Sequence, residues 1–432
     1  MTSLDFHVEP ERLTEGAAEE RATFGLLKIM AHGRSLTEGF DAYLDGSREG
    51  PLVSAYPLAE WLVWNWWRLK GEPPPSRPSR SWRFAHCLST IGEGYVWPNL
   101  TIYSDGFRVV LDSQRSGNNQ AVFRYFGARP VLAAWTDLEE AMERFAGDVL
   151  SRLEAAQIRA SNLHALWDDL QAERADPELR RYRELEARLG FDPGEADEAM
   201  LQARLAEARL LGEEAMGELA SLAAHNSSDV SRMMAAADLR EMAKNDGQAM
   251  AACPETALAD DLRWGMVPAH EIGVRVARQV RASFANRQIS DQALADLAGT
   301  SSAILKEKQV RGPLSFALVD EGGQALAVLS GKRTDNRRFE LARLIGDRLM
   351  RPRGALFPAT AARSYRQKAQ RAFAAEFLAP IEAVTDMASN DFSEERQQEI
   401  AEYFRVSFKV INSLLKNNHV IDRDFDDFQE IA

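Results

Sequence analysis

Apolar residues recur at helical spacing through the middle of the chain. In WTDLEEAMERFAGDVLSRLEA, Leu138, Met142, Phe145, Val149 and Leu153 fall on one face, which predicts an amphipathic helix. ALWDDLQAERADPELRRYRELEARLG and DEAMLQARLAEARLLGEEAMGELASLAA continue the pattern, so residues 131–260 read as a helical region. Acidic residues outnumber basic ones there up to residue 215, and such a charge run is ordinarily a solvated helix face. Residues 1–130 alternate instead. YVWPNLTIYSDGFRVVLDS switches between apolar and polar positions around Ser104-Asp105-Gly106, and AVFRYFG follows the turn RSGNNQ. A small antiparallel sheet is expected. Upstream, Trp61, Trp64, Trp66 and Trp67 cover every side of one helix. That helix reads as buried core, with an aromatic platform for bases or a ligand as the alternative. GEPPPSRPSR, residues 71–80, is a spacer that fits neither a helix nor a central strand.

From residue 261 the elements shorten. DLRWGMVPAHEIGVRVARQVRASFANRQISDQALADLAG predicts two or three short helices. PLSFALVDEGGQALAVLSGK is a hairpin turning at Asp320-Glu321-Gly322-Gly323. An amphipathic helix over 337–350 comes next, then a loop, RPRGALFPAT. A helix stopped by Pro380 and a last helical pair ending near Val420 complete the chain. The fold class is α+β and mostly helical, with expected domains at 1–130, 131–260 and 261–432.

The 432 residues carry a formal net charge of −13, which disfavours non-specific coating of nucleic acid. Cys87 and Cys253 are the only cysteines, and no CxxC occurs. This fits a reducing compartment and excludes a cysteine-rich zinc site. The start, MTSLDFHVEPERLTEG, lacks the apolar stretch of a signal peptide. The densest apolar run is broken by Glu60, Asn65 and Arg68, so no membrane span is expected. The expected location is the cytoplasm.

The stretch RRFELARLIGDRLM, residues 337–350, is followed by FAAEFLAP, residues 373–380. Their order after the hairpin resembles the ImmA/IrrE family of bacterial and phage metallopeptidase-like proteins, whose segments run RFTLAHELGH and EANRFAAELLMP. Arg338, Phe339, Leu341, Ala342 and Gly346 match the first; Phe373, Ala374, Ala375, Glu376, Leu378 and Pro380 match the second. The resemblance covers roughly residues 261–425 and implies a zincin-like domain.

In HExxH, two imidazoles at i and i+4 share one helical face and bind zinc, while the glutamate activates the bound water. Here those positions hold Arg343, Leu344 and Asp347, and the resemblance puts the third ligand near Ala369. No histidine lies between His270 and His419. Arginine is never a zinc ligand and leucine cannot act as a base. The expectation is a degenerate cleft of Arg343, Leu344, Asp347, Ala369 and Glu376, with no catalytic residue, metal or cofactor. Arg343 and Asp347, one turn apart, are expected to pair out of water, with Glu376 as a second acceptor; the alternative is ordinary surface charge. His270-Glu271-Ile272-Gly273 begins a second such motif, but Val274 ends it. That histidine reads as solvent-facing or capping.

Arg337, Arg338, Arg363, Arg366 and Lys368 belong to a locally basic stretch. They read either as solvated or self-docking faces, or as a surface for an acidic effector or partner. Residues 290–305 and 397–418 loosely fit helix-turn-helix spacing, though the resemblance places packing helices at both. The departing residues lead to the expectation of a non-catalytic pseudo-peptidase that acts as a sensor or partner-binding regulator, and the resemblance places it in bacterial stress response, mobile-element control or phage defence. Its cleft would take a peptide, a protein or a small effector. The alternatives are a metallopeptidase with an unconventional site that cuts a repressor or antitoxin, and a DNA-binding regulator. Nucleic acid is the less favoured partner, because the chain is acidic.

Overall fold

The computed structural model describes residues 4–422, apart from 76, 227–232, 252–261, 285–287, 307–311, 313 and 321. Cys253 lies outside the described residues. The chain forms two compact units, residues 1–202 and 203–432. Among the described residues, no helix is long and apolar enough to cross a membrane.

In the first unit, strand Leu4–Pro10 pairs antiparallel with Phe24–Ala31, from Leu4↔Ala31 to Pro10↔Gly25. Every second residue of Phe24–Ala31 is buried, which puts Leu27 and Ile29 into the core. The expected hairpin is present: Leu100–Ser104 pairs with Arg108–Ser113 in the register Thr101↔Asp112, and Val131–Ala134 adds a third strand. Its turn is built by Asp105, whose Oδ1 accepts the Arg108 amide at 2.8 Å, and by Gly106 at φ 101°. Phe123–Tyr125 joins a further sheet with Gly39–Asp41.

The tryptophans sit on two successive helices, Ala55–Trp64 and Trp66–Gly71. Trp61, Trp66 and Trp67 are buried core; Trp64 alone is exposed. Of the expected spacer, Gly71 ends one helix and Arg80 begins the next; the described residues between them are neither helix nor strand, but Glu72, Pro73 and Pro74 are buried, so its first half is packed rather than loose. Helix Trp135–Ala155 turns Leu138, Met142, Phe145, Val149 and Leu153 into the same core as the sheets. That apolar stripe is why the helical middle is not a domain of its own. Residues 131–202 belong to the first unit, and the remainder folds with the second.

The second unit contains helices Glu213–Asn226, Ala236–Asp246, Ala269–Arg281 and Asp291–Ala298 before the hairpin. The hairpin strands, Ser315–Val319 and Ala325–Val328, sit inside a four-stranded antiparallel sheet. Its outer strands are Gln248–Met250 and Leu356–Ala359. The latter lies within the segment expected to be a loop. Pro358 hid it, yet an edge strand tolerates a residue that cannot donate to a ladder.

Three helices then define the centre: Ala269–Arg281, the motif helix Thr334–Met350, and the second-motif helix Tyr365–Leu378. Two glycines let them approach at backbone distance. A Cβ on Gly346 would lie 2.4 Å from the Phe373 ring, and one on Gly273 would lie 2.3 Å from the Ala369 carbonyl oxygen. Helices Ile381–Ala388, Glu394–Phe404 and Phe408–Asn417 close the unit.

Candidate functional site

Every residue from Leu341 to Met350 is buried, so the second half of the motif helix has no solvated face. Its polar side chains must find partners within the protein. Asp347 does so on the facing helix. Arg366 donates from Nε to Oδ1 at 2.9 Å and from Nη2 to Oδ2 at 2.7 Å, a two-pronged clamp that occupies both carboxylate oxygens. Burial alone would lower the Arg366 pKa, but the Asp347 charge and hydrogen bonds outweigh it and the net shift is upward.

The expected pair between Arg343 and Asp347 does not form. Arg343 Nη2 donates to the Thr360 carbonyl at 2.7 Å, to Gln367 Oε1, and to Gln370 Oε1 at 3.3 Å. Both glutamines are fixed in turn by donating to the Pro358 carbonyl, at 3.0 and 3.1 Å. With Asp347 saturated by Arg366, the guanidinium turns to neutral acceptors, and its Nε has no partner among the described residues. Burial pushes its pKa down to about 10, against the pull of Glu340, Asp347 and Glu218, and it stays charged at neutral pH.

Glu376 is not an acceptor for Arg343 either. It takes the Arg278 Nε at 2.9 Å and the Ile381 amide at 3.2 Å, which ties it to the start of the next helix. Leu344 and Ala369 are fully buried in the core.

The five residues expected to form an effector surface separate. Arg337 is buried and donates to the carbonyls of Ile304, Leu329 and Gly331 at 2.8, 3.0 and 2.8 Å. Arg338 is completely buried; it binds Asp291 and the carbonyls of Ile289 and Arg405. Arg366 holds Asp347. These three are internal ties between loops and helices, because a guanidinium fork satisfies several carbonyls that would otherwise be stranded. Arg363 and Lys368 are half-buried.

Sequence reasoning missed Gln367, Gln370, Thr360 and Glu218. The glutamines repeat at i, i+3 on the helix face that meets the motif helix, a signal that spacing could have supplied. Glu218 comes from the distant helix Glu213–Asn226, and its Oε2 accepts the Ser364 hydroxyl at 2.6 Å. Nothing local in the sequence points to that contact.

These residues do not fit a zinc ion. Of the four positions that would face it, only Asp347 can ligate, and both its oxygens are occupied. The buried guanidiniums of Arg343 and Arg366 would repel a cation. Among the described residues, no group of three or more His, Cys, Asp or Glu could hold a metal. His270 and Glu271 are exposed on helix Ala269–Arg281, whose Gly273 serves close packing.

The helix-turn-helix look-alikes resolve differently. Residues 290–305 hold helix Asp291–Ala298, a left-handed Gly299 and a single 3-10 turn, Ser302–Leu305, so the second helix is missing. In 397–418, left-handed Arg405 joins two real helices, but Ile400, Ala401, Ile411, Leu414 and Leu415 point into the core.

A search of curated proteins and one of solved structures each give no match. Residues 306–416 match the family model described as the IrrE N-terminal-like domain, Peptidase_M78. The matched span holds the hairpin, the motif helix, the edge strand, the second-motif helix and the closing helices. The C-terminal part of this chain therefore carries an ImmA/IrrE-like domain of the Peptidase_M78 kind.

Proposed function

We propose that the ImmA/IrrE-like domain is a pseudo-peptidase, a non-catalytic scaffold that senses or regulates by binding a protein or peptide partner. The observation that carries this is the buried hydrogen-bond set of Arg343, Asp347, Thr360, Arg366, Gln367 and Gln370. A peptidase site leaves one coordination position open for water and keeps a base beside it. Here both Asp347 oxygens are taken by Arg366 and Arg343 Nη2 is taken by neighbouring oxygens, Leu344 supplies no base, and the helix is buried from Leu341 to Met350. The process served (stress response, mobile-element control or phage defence) is inferred from the family resemblance alone.

The test is a comparison of protein N-termini across cells with and without this protein. We expect no cut that depends on it. A protein-dependent cut that a chelator abolishes would overturn the proposal.

A further inference from the structure

The edge strand Leu356–Ala359 is buried along its whole length, which is unusual for a strand that ends a sheet. What covers it is helix Glu213–Asn226, which precedes the family-matched span and packs on that strand. Ala215, Met216, Leu219 and Ala220 are buried there. Two carboxylates on this helix reach towards the remnant cleft. Glu214 pairs with Arg351, just after the motif helix. Glu218, itself buried, accepts the hydroxyl of Ser364, the N-cap of the second-motif helix. Its negative charge acts on both Arg343 and Arg366. Of those two guanidiniums, only Arg366 has a carboxylate in direct contact, and Glu340 is engaged by the Gly331 amide. Glu218 thus supplies negative charge beside a cluster that contains more cation than it can neutralise by contact.

An amphipathic helix laid over this sheet edge, with an acidic side chain set at the start of another helix, is also the way a partner helix would occupy this face. We infer that the remnant cleft is a receptor for an acidic amphipathic helix and that helix Glu213–Asn226 is its built-in occupant, which a partner helix of the same chemistry displaces. The inference rests on the pseudo-peptidase reading. Gly212, at φ 100°, sits immediately before this helix in a backbone conformation that glycine adopts freely.

The test uses the full chain. Hydrogen exchange should show Leu356, Phe357 and Ala359 opening together with residues 214–223, at a rate well above that of the hairpin strands. A synthetic peptide of residues 212–226, GEEAMGELASLAAHN, should bind in trans; the same peptide with Glu218→Gln should bind about tenfold more weakly. In the full chain, Glu218→Gln should speed the joint opening about tenfold and tighten binding of the unaltered peptide. The proposal fails if these segments exchange only with the hairpin, or if the peptide does not bind, or if both peptides bind equally. Zinc is measured on the same sample. Stoichiometric zinc would sink the pseudo-peptidase reading itself, whereas failed exchange or binding in zinc-free protein sinks only the helix receptor.

Discussion

Arg68 in the first unit and Arg343 in the second are both buried, and they are stabilised in opposite ways. In the first unit, Arg68 donates to Glu72 at 2.7 Å and to Asp192 at 2.7 Å, and Glu72 also contacts His86 at 3.1 Å. Burial opposes the Arg68 charge, but the two carboxylates outweigh it and raise its pKa. In the second unit, Arg343 meets only carbonyl and amide oxygens, and burial wins. The first cluster sets two carboxylates against its one guanidinium, as expected of a structural element. The second leaves one cation without a contacting anion and surrounds it with neutral oxygens instead. A buried charge is informative through its partners, not through its burial.

The sharpest way to break this comparison is Asp347→Ala. It strands Arg366 in a buried position, and we expect a loss of about 3–5 kcal/mol in denaturant unfolding. Replacing both partners, Asp347→Leu with Arg366→Met, should recover most of that loss. Next is Gly346→Ala. The new Cβ would meet the Phe373 ring, so a loss of about 1–3 kcal/mol is expected by the same measurement. Arg343→Met should change stability by only about 1 kcal/mol, because the cost of burying that charge disappears along with its bonds to neutral acceptors. If it destabilises as much as Asp347→Ala, Arg343 is not different in kind from Arg366, which a carboxylate holds as carboxylates hold Arg68.

The smallest effect concerns acid. Burial raises the Glu72 pKa, but the His86 hydrogen bond and the Arg68 charge outweigh it, and the net shift is below the ordinary 4.5. A depressed carboxylate contributes stability above its unfolded value and loses it as pH falls through the folded one. The first unit should therefore weaken below pH 4.5, and Glu72→Gln should blunt that dependence when unfolding is followed by tryptophan fluorescence.

Much of the fold was legible because local pattern and tertiary structure agree. The hairpin turning at Ser104-Asp105-Gly106, the stripe from Leu138 to Leu153 and both motif helices appear where periodicity puts them. Burial of the motif helix was legible in part, since Phe339, Leu341, Ile345 and Leu349 do not account for its whole buried face. The partners were not. An i, i+4 spacing made Arg343 and Asp347 look like a pair, yet Arg366 from a facing helix reaches both oxygens of Asp347, and no single-helix rule predicts that. Arg337 and Arg338 looked like surface charge because arginine usually is. Their role as ties to distant carbonyls depends on chain crossings such as Arg338 with Ile289. The strand at Leu356–Ala359 was hidden by one proline.

Reverting Arg343→His, Leu344→Glu and Asp347→His should not restore peptide cutting. Ala369 would still leave the third ligand missing, and Arg366 would lose its carboxylate. The parent protein offers the more direct test, elemental analysis after purification and again after incubation with zinc. We expect zinc far below one per chain in both samples and a melting temperature that neither zinc nor a chelator moves. One tightly held zinc per chain, with a melting temperature that falls on chelation, would contradict the reading of this site as a metal cleft filled by the protein itself.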